Sequence, residues 1–501
     1  MRKIETIIPR RRRVRIKENE PALSLNVAEH VSATAPESSD RYFQHVVWPW
    51  EGPQWPNIRS KLTAPIPNVV ELDSRIASLR SAKTRPRLLN EMFDAYYNCD
   101  DYINVRPPIE FFFGKIIPML QNLVLDAPKT FRGFSGRLLL PQQNTNITIT
   151  RIQAATIIAG IWFGLFDYDY ISKGKIKIDE FSEPTFMYAI ESVNTTVFQF
   201  LISYFTRLYY YISDEDALPF GLKQGTVEPG TMDKSRFRSG AIIIKRTNTK
   251  NPDWENNDEP IIDPTVGEGH SDDSYALMHT AYAHQFIGGD MFKGSLTQEE
   301  LMLLIRPDCL ACLIFCARLD PNESISVFGA EKISQYTGIG SSIRFLEPYY
   351  DTTPIGGNKR ESIIRNCLVF IDATQKSSSG SQMLDDFDRD LLKAYCGMSS
   401  IDSTGNEISI ACGNWAYGFN GSHMQVKFIQ LILASSLAKK TLEYYPIGRD
   451  FESDLLPFID WMQQEKLLIS DLYGIYMDLI ESLPKNSRLG DLNVFESIMD
   501  M

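Results

Sequence analysis

The chain has 501 residues, 43% of them hydrophobic and 11% aromatic, with a formal net charge of -12. That length holds about two to four domains of ordinary size, and the composition is that of a globular protein with a large core. The acidic balance excludes a broad electrostatic grip on nucleic acid, which needs a basic face, but leaves room for one anionic ligand in a local pocket.

The first residues are charged and lack the apolar run of a signal peptide. Residues 1 to about 70 read as a disordered basic arm, with Arg10-Arg11-Arg12-Arg13-Val14-Arg15-Ile16-Lys17, followed by an extended segment in which Trp48, Trp50 and Trp55 lie among prolines. The basic run reads equally as a nuclear-import or polyanion-binding tail and as a solvated arm. From 71 to 212 helical signals dominate. Asp73 to Tyr97 is amphipathic, Ile109 to Asp126 follows a Pro-Pro start with Pro118 set to bend it, and Thr150 to Asp167 is apolar almost all round. The longest apolar run, Ala154 to Phe166, is too short to cross a bilayer. Glu183 to Ile212 is long and aromatic, with Pro184 where a first turn tolerates it.

The texture changes over residues 213–450. Ala241 to Ile244, Ile325 to Phe328 and Leu368 to Ile371 are short β-branched or aromatic runs that read as buried strands, and Glu407 to Cys412 reads as another. Helical patterns fall between and after them, at Glu299 to Ile305, Ala311 to Leu319, Asp386 to Cys396 and Gln425 to Lys439. Lys250 to Asp273 is a polar, acidic loop, and the segment 451–501 returns to helix from Leu455 to Leu483. Strands alternating with helices indicate an α/β sheet covered on its faces. Seven cysteines without a secretion signal suit a reducing compartment, nucleus or cytoplasm. The spacing of Cys309, Cys312 and Cys316 places them on one buried helix face rather than around a metal, so no metal and no cofactor are expected.

The most informative stretch is Phe286 to Pro307. Gly288 and Gly289 lead into Asp290, seven residues intervene, and Gln298-Glu299-Glu300 then run into an apolar helix. Adjacent carboxylates after a glycine turn suit acid/base work on a sugar or phosphate ligand. The same residues read as a capping box, Thr297-x-x-Glu300, in which the glutamate reaches back to the cap. A Glu300 that serves as the acid is not expected to spend its carboxylate on that cap.

Downstream stand Gly329-Ala330-Glu331 with Tyr336-Thr337-Gly338, then Phe370-Ile371-Asp372-Ala373, Ala394-Tyr395-Cys396-Gly397 and Gly413-Asn414-Trp415. In that order, and with that glycine-to-glutamate spacing, the segments resemble the poly(ADP-ribose) glycohydrolase family from about residue 70 to about 490. The resemblance implies a macrodomain-like mixed sheet between helices, preceded by an all-helical accessory region. It implies cleavage of the ribose–ribose O-glycosidic bonds of poly(ADP-ribose), with release of ADP-ribose. Glu300 matches the acid that protonates the leaving ribose oxygen and then activates water, and burial is expected to raise its pKa towards neutrality. Glu299 matches the neighbour that holds the reacting ribose, and Gln298 a residue that orients substrate or glutamates. The turn Gly413 to Gly421, with Asn414 and Gly418, matches the loop that cradles a diphosphate on backbone N–H groups. Partners implied are poly(ADP-ribose), ADP-ribose and ADP-ribosylated proteins, with no membrane and no direct nucleic-acid binding.

The chain departs from the family at the ligand. Asp290 replaces the third glycine of the signature, and a carboxylate ~5 Å from an anion costs on the order of 3 kcal/mol at an effective dielectric of about 20. Ala281 and His284 replace an Asp and an Asn, the latter still able to hydrogen-bond a ribose hydroxyl. Ile339 stands for a tyrosine, Ala416 for a glycine, Asn420 for a phenylalanine, Ser422-His423 for Gly-Asp, and Ile447 for a phenylalanine. Tyr417 and Phe419 offer either replacement stacking or packing under the loop. These departures carry the alternative expectation, a catalytically impaired paralogue that reads ADP-ribose or serves as a scaffold.

Overall fold

The computed structural model describes residues 45–79, 89–102, 104–166, 194–213, 234–289, 296–358, 361–374, 382–402, 408–416, 423–483 and 492–501. The arginine run Arg10–Lys17, Pro184, Asp290, Tyr417, Gly418, Phe419, Asn420, Gly421 and Ser422 lie outside the described residues.

Twelve strands are present among the described residues: β1 (Thr145–Thr150), β2 (Ala241–Asn248), β3 (Thr265–Val266), β4 (Met278–Ala283), β5 (Glu323–Phe328), β6 (Ser334–Thr337), β7 (Arg344–Pro348), β8 (Ile355–Asn358), β9 (Glu361–Ile364), β10 (Cys367–Asp372), β11 (Ile408–Gly413) and β12 (Lys440–Tyr445). Eight form one mixed sheet in the order β1-β2-β5-β10-β4-β11-β12-β3, and β6-β7 and β8-β9 are separate hairpins. The pairings from β1 through β10 are antiparallel, and those from β10 through β3 are parallel.

The β-branched runs are strands because both faces of the sheet are covered, which makes continuous apolar runs rather than alternating ones. Ile242, Ile244, Ile325, Val327, Leu368 and Phe370 point into one core, with the N-terminal helices. Ile243, Phe328, Val369, Ile371, Ile410 and Leu442 point into the other, with the C-terminal helices. The first layer holds α1 (Trp55–Thr63), α2 (Val69–Leu79), α3 (Leu89–Tyr97), α4 (Ile117–Leu125), α5 (Arg151–Trp162), α6 (Thr195–Ile212) and α7 (Gln298–Ile305). The second holds α8 (Gln382–Met398), α9 (Met424–Leu437), α10 (Arg449–Glu465), α11 (Ile469–Ser482) and α12 (Val494–Met499). None of the described helices is long and apolar enough to cross a membrane. The architecture is a mixed sheet between helical layers with a helical region ahead of it.

Several elements differ in detail from the sequence pattern. The segment expected to be extended holds a 3-10 turn at Pro49–Glu51 and the start of α1 at Trp55, where Pro56 sits in a first turn that has no use for its missing N–H; Trp48 and Trp50 ahead of α1 are buried and stacked at 4.9 Å. Ahead of Pro118, residues Phe112–Ile116 widen into a π-helical turn instead of a simple bend, an adjustment that accommodates a ring with no N–H to give back. The helical region also lends one strand to the sheet: β1 alternates, and Ile147 and Ile149 turn inward. The helical stretch expected from Leu455 to Leu483 is built of two helices, parted at Lys466 with φ +54°. Ala311 to Leu319 is not one helix but a 3-10 turn, Pro307–Ala311, and a single helical turn, Cys312–Phe315. Cys316 is drawn extended by pairing with Leu139. Cys309, Cys312 and Cys316 are therefore buried in three successive elements rather than along one helix face.

Buried charge ties the N-terminal helices to the segments that follow α7 and β5. Arg151, in the first turn of α5, lies 2.9 Å from Asp308 and 2.6 Å from Glu331, and the Tyr211 hydroxyl of α6 donates to Glu331 at 2.7 Å. α5 is itself started by a complete capping box between Thr150 and Gln153.

Candidate active site

In open α/β sheets ligands settle beyond the carboxyl ends of parallel strands, where neighbouring strands lead off in opposite directions. Here β4 is followed by chain that turns to β5 and β10 on one side, while β11 leads to β12 on the other. The two strands pair only at Ile410↔Met278 and Ala411↔His279, then part. Side chains stitch the opening. The Gln298 amide accepts the Tyr282 N–H at 2.7 Å and donates to the Thr280 carbonyl at 2.8 Å, the two-bond pattern a neighbouring parallel strand would offer. Gln298, anticipated as orienting substrate or glutamates, has both ends of its amide on β4, which fixes the first turn of α7 against that strand.

The next residue clamps the glycine turn. One Glu299 oxygen accepts the His284 N–H at 2.8 Å and the other the Gly288 N–H at 2.7 Å. Gly288 has φ +92° and Gly289 φ +41°; a Cβ at Gly288 would fall 2.5 Å from a Leu313 methyl, so the first position is closed to larger residues by both conformation and space. Burial pushes Glu299 up to about 8; the two backbone donors pull against it, and the nearby Glu300 and Asp372 carboxylates push the same way as burial.

Glu300 is 1% exposed, so the shielding expected for the acid is present. Its Oε2 accepts the Thr297 N–H, which makes the carboxylate half of the capping box real. The capping box, expected to be a false positive if Glu300 is the acid, is therefore formed. A carboxylate has two oxygens: Oε1 lies 3.7 Å from where a Cβ of Gly289 would stand, so it faces the glycine turn while its partner serves the cap. His284 takes the Phe286 N–H on Nδ1 at 3.2 Å, so in the neutral ring Nε2 carries the proton and is a donor.

Asn414, Ala416 and His423 follow the end of β11 in the chain, whereas Ala281 and Ile339 lie elsewhere. The Asn414 amide donates to the Ile447 carbonyl at 2.8 Å and accepts from the Ile447 N–H at 3.2 Å and the Tyr444 hydroxyl at 3.1 Å. It fastens the loop root to the segment after β12. Ala416 has φ +60°, the left-handed conformation that the glycine it replaces would adopt without cost. His423 places Nε2 3.1 Å from the Leu492 carbonyl. Ala281 is sealed in the core between sheet and helices, and Ile339 is 49% exposed in the turn between β6 and β7.

Two features of this edge were not read from the sequence. The Tyr282 hydroxyl donates to the Gly413 carbonyl at 2.6 Å and accepts the Gly413 N–H. Asp372, at the end of β10 and level with Ala283 of β4, is held by Arg389 and by Lys393 at 2.8 Å. In the sequence Asp372 stood within the family-like segment Phe370-Ile371-Asp372-Ala373, at the end of a buried apolar run, with no role assigned to it. Tyr282 carried no signal, because β4 has no β-branched run to mark it.

Fold and site together define a macrodomain with a clamped glutamate pair and a helical domain ahead of it. Two family models match: the poly(ADP-ribose) glycohydrolase helical domain over residues 108–222 and the poly(ADP-ribose) glycohydrolase macro domain fold over residues 251–453. The chain belongs to the poly(ADP-ribose) glycohydrolase family. It is 23% identical over 437 residues to "Probable poly(ADP-ribose) glycohydrolase 2" of Arabidopsis thaliana, which covers 76% of this chain and 80% of that protein. It is 24% identical over 329 residues to "Poly(ADP-ribose) glycohydrolase 1" of the same plant, 50% of this chain and 59% of that one. To "Poly(ADP-ribose) glycohydrolase 1" of Caenorhabditis elegans it is 23% identical over 343 residues, 66% of this chain but 39% of that one.

Proposed function

We propose that this chain hydrolyses the ribose–ribose O-glycosidic bonds of poly(ADP-ribose) and releases ADP-ribose, with Glu300 as acid and base. The observation that carries the reading is the glutamate pair itself, held in the first turn of α7 against Gly288-Gly289. The Glu300 carboxylic acid gives its proton to the leaving ribose oxygen as the glycosidic C–O bond breaks and positive charge develops on the sugar. The resulting carboxylate then takes a proton from the water that attacks that carbon, which restores the acid. One carboxylate in two successive proton transfers needs to be shielded and to keep one oxygen towards the sugar, the arrangement described for Oε1. Glu299 has one backbone N–H on each oxygen, so each oxygen retains a lone pair for a ribose hydroxyl. ADP-ribosylated proteins are the carriers of such a polymer and so the implied partners.

Incubation with labelled poly(ADP-ribose) tests the reading: the chain releases ADP-ribose and Glu300→Gln does not. No release at high protein concentration sinks it.

A second reading, an ADP-ribose reader without turnover, is favoured by the departures at the ligand side. The Ala281 side chain is sealed in the core and has no polar atom to offer, and the Asn414 amide is committed to the protein. Calorimetry with ADP-ribose separates the two: affinity with no turnover of polymer selects the reader, and neither binding nor turnover leaves a scaffold.

A further inference from the structure

Within a strand, the N–H and C=O of one residue point to the same side, so one neighbouring strand satisfies both. Gly413 ends β11 and is level with Tyr445 of β12, but its partnership with β4 has already stopped at Ala411. The Tyr282 hydroxyl takes the place of the missing strand. It accepts the Gly413 N–H and donates to the Gly413 carbonyl. Burial holds the phenol well above its ordinary pKa, so the O–H persists as a donor.

The same residue is gripped from the other direction. Its backbone N–H is bound by the Gln298 amide at the start of α7, the residue next to the glutamate pair. One side chain and one peptide of Tyr282 thus connect α7 to the root of the loop after β11. That root, residues 413–416, is also held by Asn414 on Ile447, by Lys427 over the Trp415 ring at 4.4 Å and by the Tyr282 ring stacked on Trp415 at 6.5 Å, a contact that phenylalanine keeps. Among the described residues, the side-chain hydrogen bonds to Gly413 from β4 come from Tyr282 alone.

We propose that Tyr282 is a positioning residue that sets the spacing between the glutamate pair and the loop root, and so sets affinity for an ADP-ribose unit whose ribose meets the first and whose diphosphate meets the second. This rests on the glycohydrolase reading. A ligand that spans two supports binds best when their separation is already fixed, and loosening one support is felt in binding more than in the proton transfers at Glu300.

Tyr282→Phe removes one oxygen and keeps the ring. Four quantities are measured on the full chain: hydrogen exchange at the Gly413 amide, the Kd for ADP-ribose, and KM and kcat on poly(ADP-ribose). Faster Gly413 exchange, with Kd and KM each raised about tenfold and kcat held within about twofold, is expected from loss of one buried hydrogen-bonded link. Substitution of Tyr282 by 4-aminophenylalanine, which restores a donor, should recover part of the affinity. Faster exchange with unchanged Kd and KM reduces the hydroxyl to a structural bond and overturns the proposal, as does a fall in kcat at constant KM. Wild-type protein that neither binds nor hydrolyses overturns the glycohydrolase reading and the positioning role together. Wild type that does both, with Tyr282→Phe indistinguishable from it, overturns the positioning role alone.

Discussion

Glu331 and Glu299 are both buried carboxylates, and their surroundings differ: one is held by cations between helices and sheet, the other by backbone N–H groups at the glycine turn. Burial raises the pKa of each. At Glu331, Arg151 and Arg207 together with the Tyr211 hydroxyl outweigh burial and hold the group below its ordinary value. At Glu299 the answering groups are two backbone N–H donors, burial wins, and the value rises to about 8. Both kinds of partner favour the charged form, but the two guanidinium charges at Glu331 outweigh burial and the two N–H donors at Glu299 do not. Charge at Glu331 is thus locked in by the structure; charge at Glu299 remains negotiable.

Opposite outcomes are expected from breaking the two ends of this contrast. Glu300→Gln keeps an oxygen for the Thr297 N–H but loses the proton, so turnover of poly(ADP-ribose) should fall by about 10² to 10⁴ while unfolding in urea stays within about 1 kcal/mol of wild type. At the structural end, Arg151→Ala leaves Asp308 buried without its ion-pair partner and Glu331 with Arg207 alone. A loss of about 3–5 kcal/mol in urea unfolding is expected. A loss below about 1 kcal/mol would mean that the cluster does not hold the helical layer to the sheet.

A pH series sharpens the contrast at Glu299. With a folded value of about 8 against an ordinary carboxylate value in the unfolded chain, the folded protein binds the extra proton between about pH 4.5 and 8. The stabilisation linked to that proton is fully present below the unfolded value and is lost as pH rises through about 8. Wild type should therefore lose stability across this window relative to Glu299→Gln, whose amide does not titrate. Equal slopes would remove the claim that burial dominates at this carboxylate. The smallest effect concerns the loop root: Ala416→Gly relieves a left-handed alanine and should stabilise by up to about 1 kcal/mol, read as a small rise in Tm.

Much of the architecture was legible in the chain because its signals are local. Strands β2, β5 and β10 announce themselves as β-branched runs, and α7 and α9 as apolar helices, since each is buried on the faces its own pattern dictates. β4 was not legible. Met-His-Thr-Ala-Tyr-Ala has no β-branched run and no clean alternation, and it is a strand because β10 and β11 flank it. The segment from Ala311 to Leu319 failed for the opposite reason. Its pattern is helical, but pairing of Cys316 with Leu139 captured the end of it.

The glutamate pair was read correctly as the start of a helix, and the cap bond of Glu300 was one of its two readings, but the bonds of Glu299 and Gln298 were not read. By itself, the sequence determined a sheet covered by helices, because periodicity is a property of the chain, and its ordered motifs carried the resemblance that implied the mixed sheet, the family and the residues at the glycine turn. Only the tertiary structure decided how they divide the work. It assigned Gln298 to β4, both Glu299 oxygens to the glycine turn, one Glu300 oxygen to the cap, and the Tyr282 hydroxyl to Gly413. Those choices depend on where two parallel strands part, and a gap between strands belongs to no single stretch of sequence.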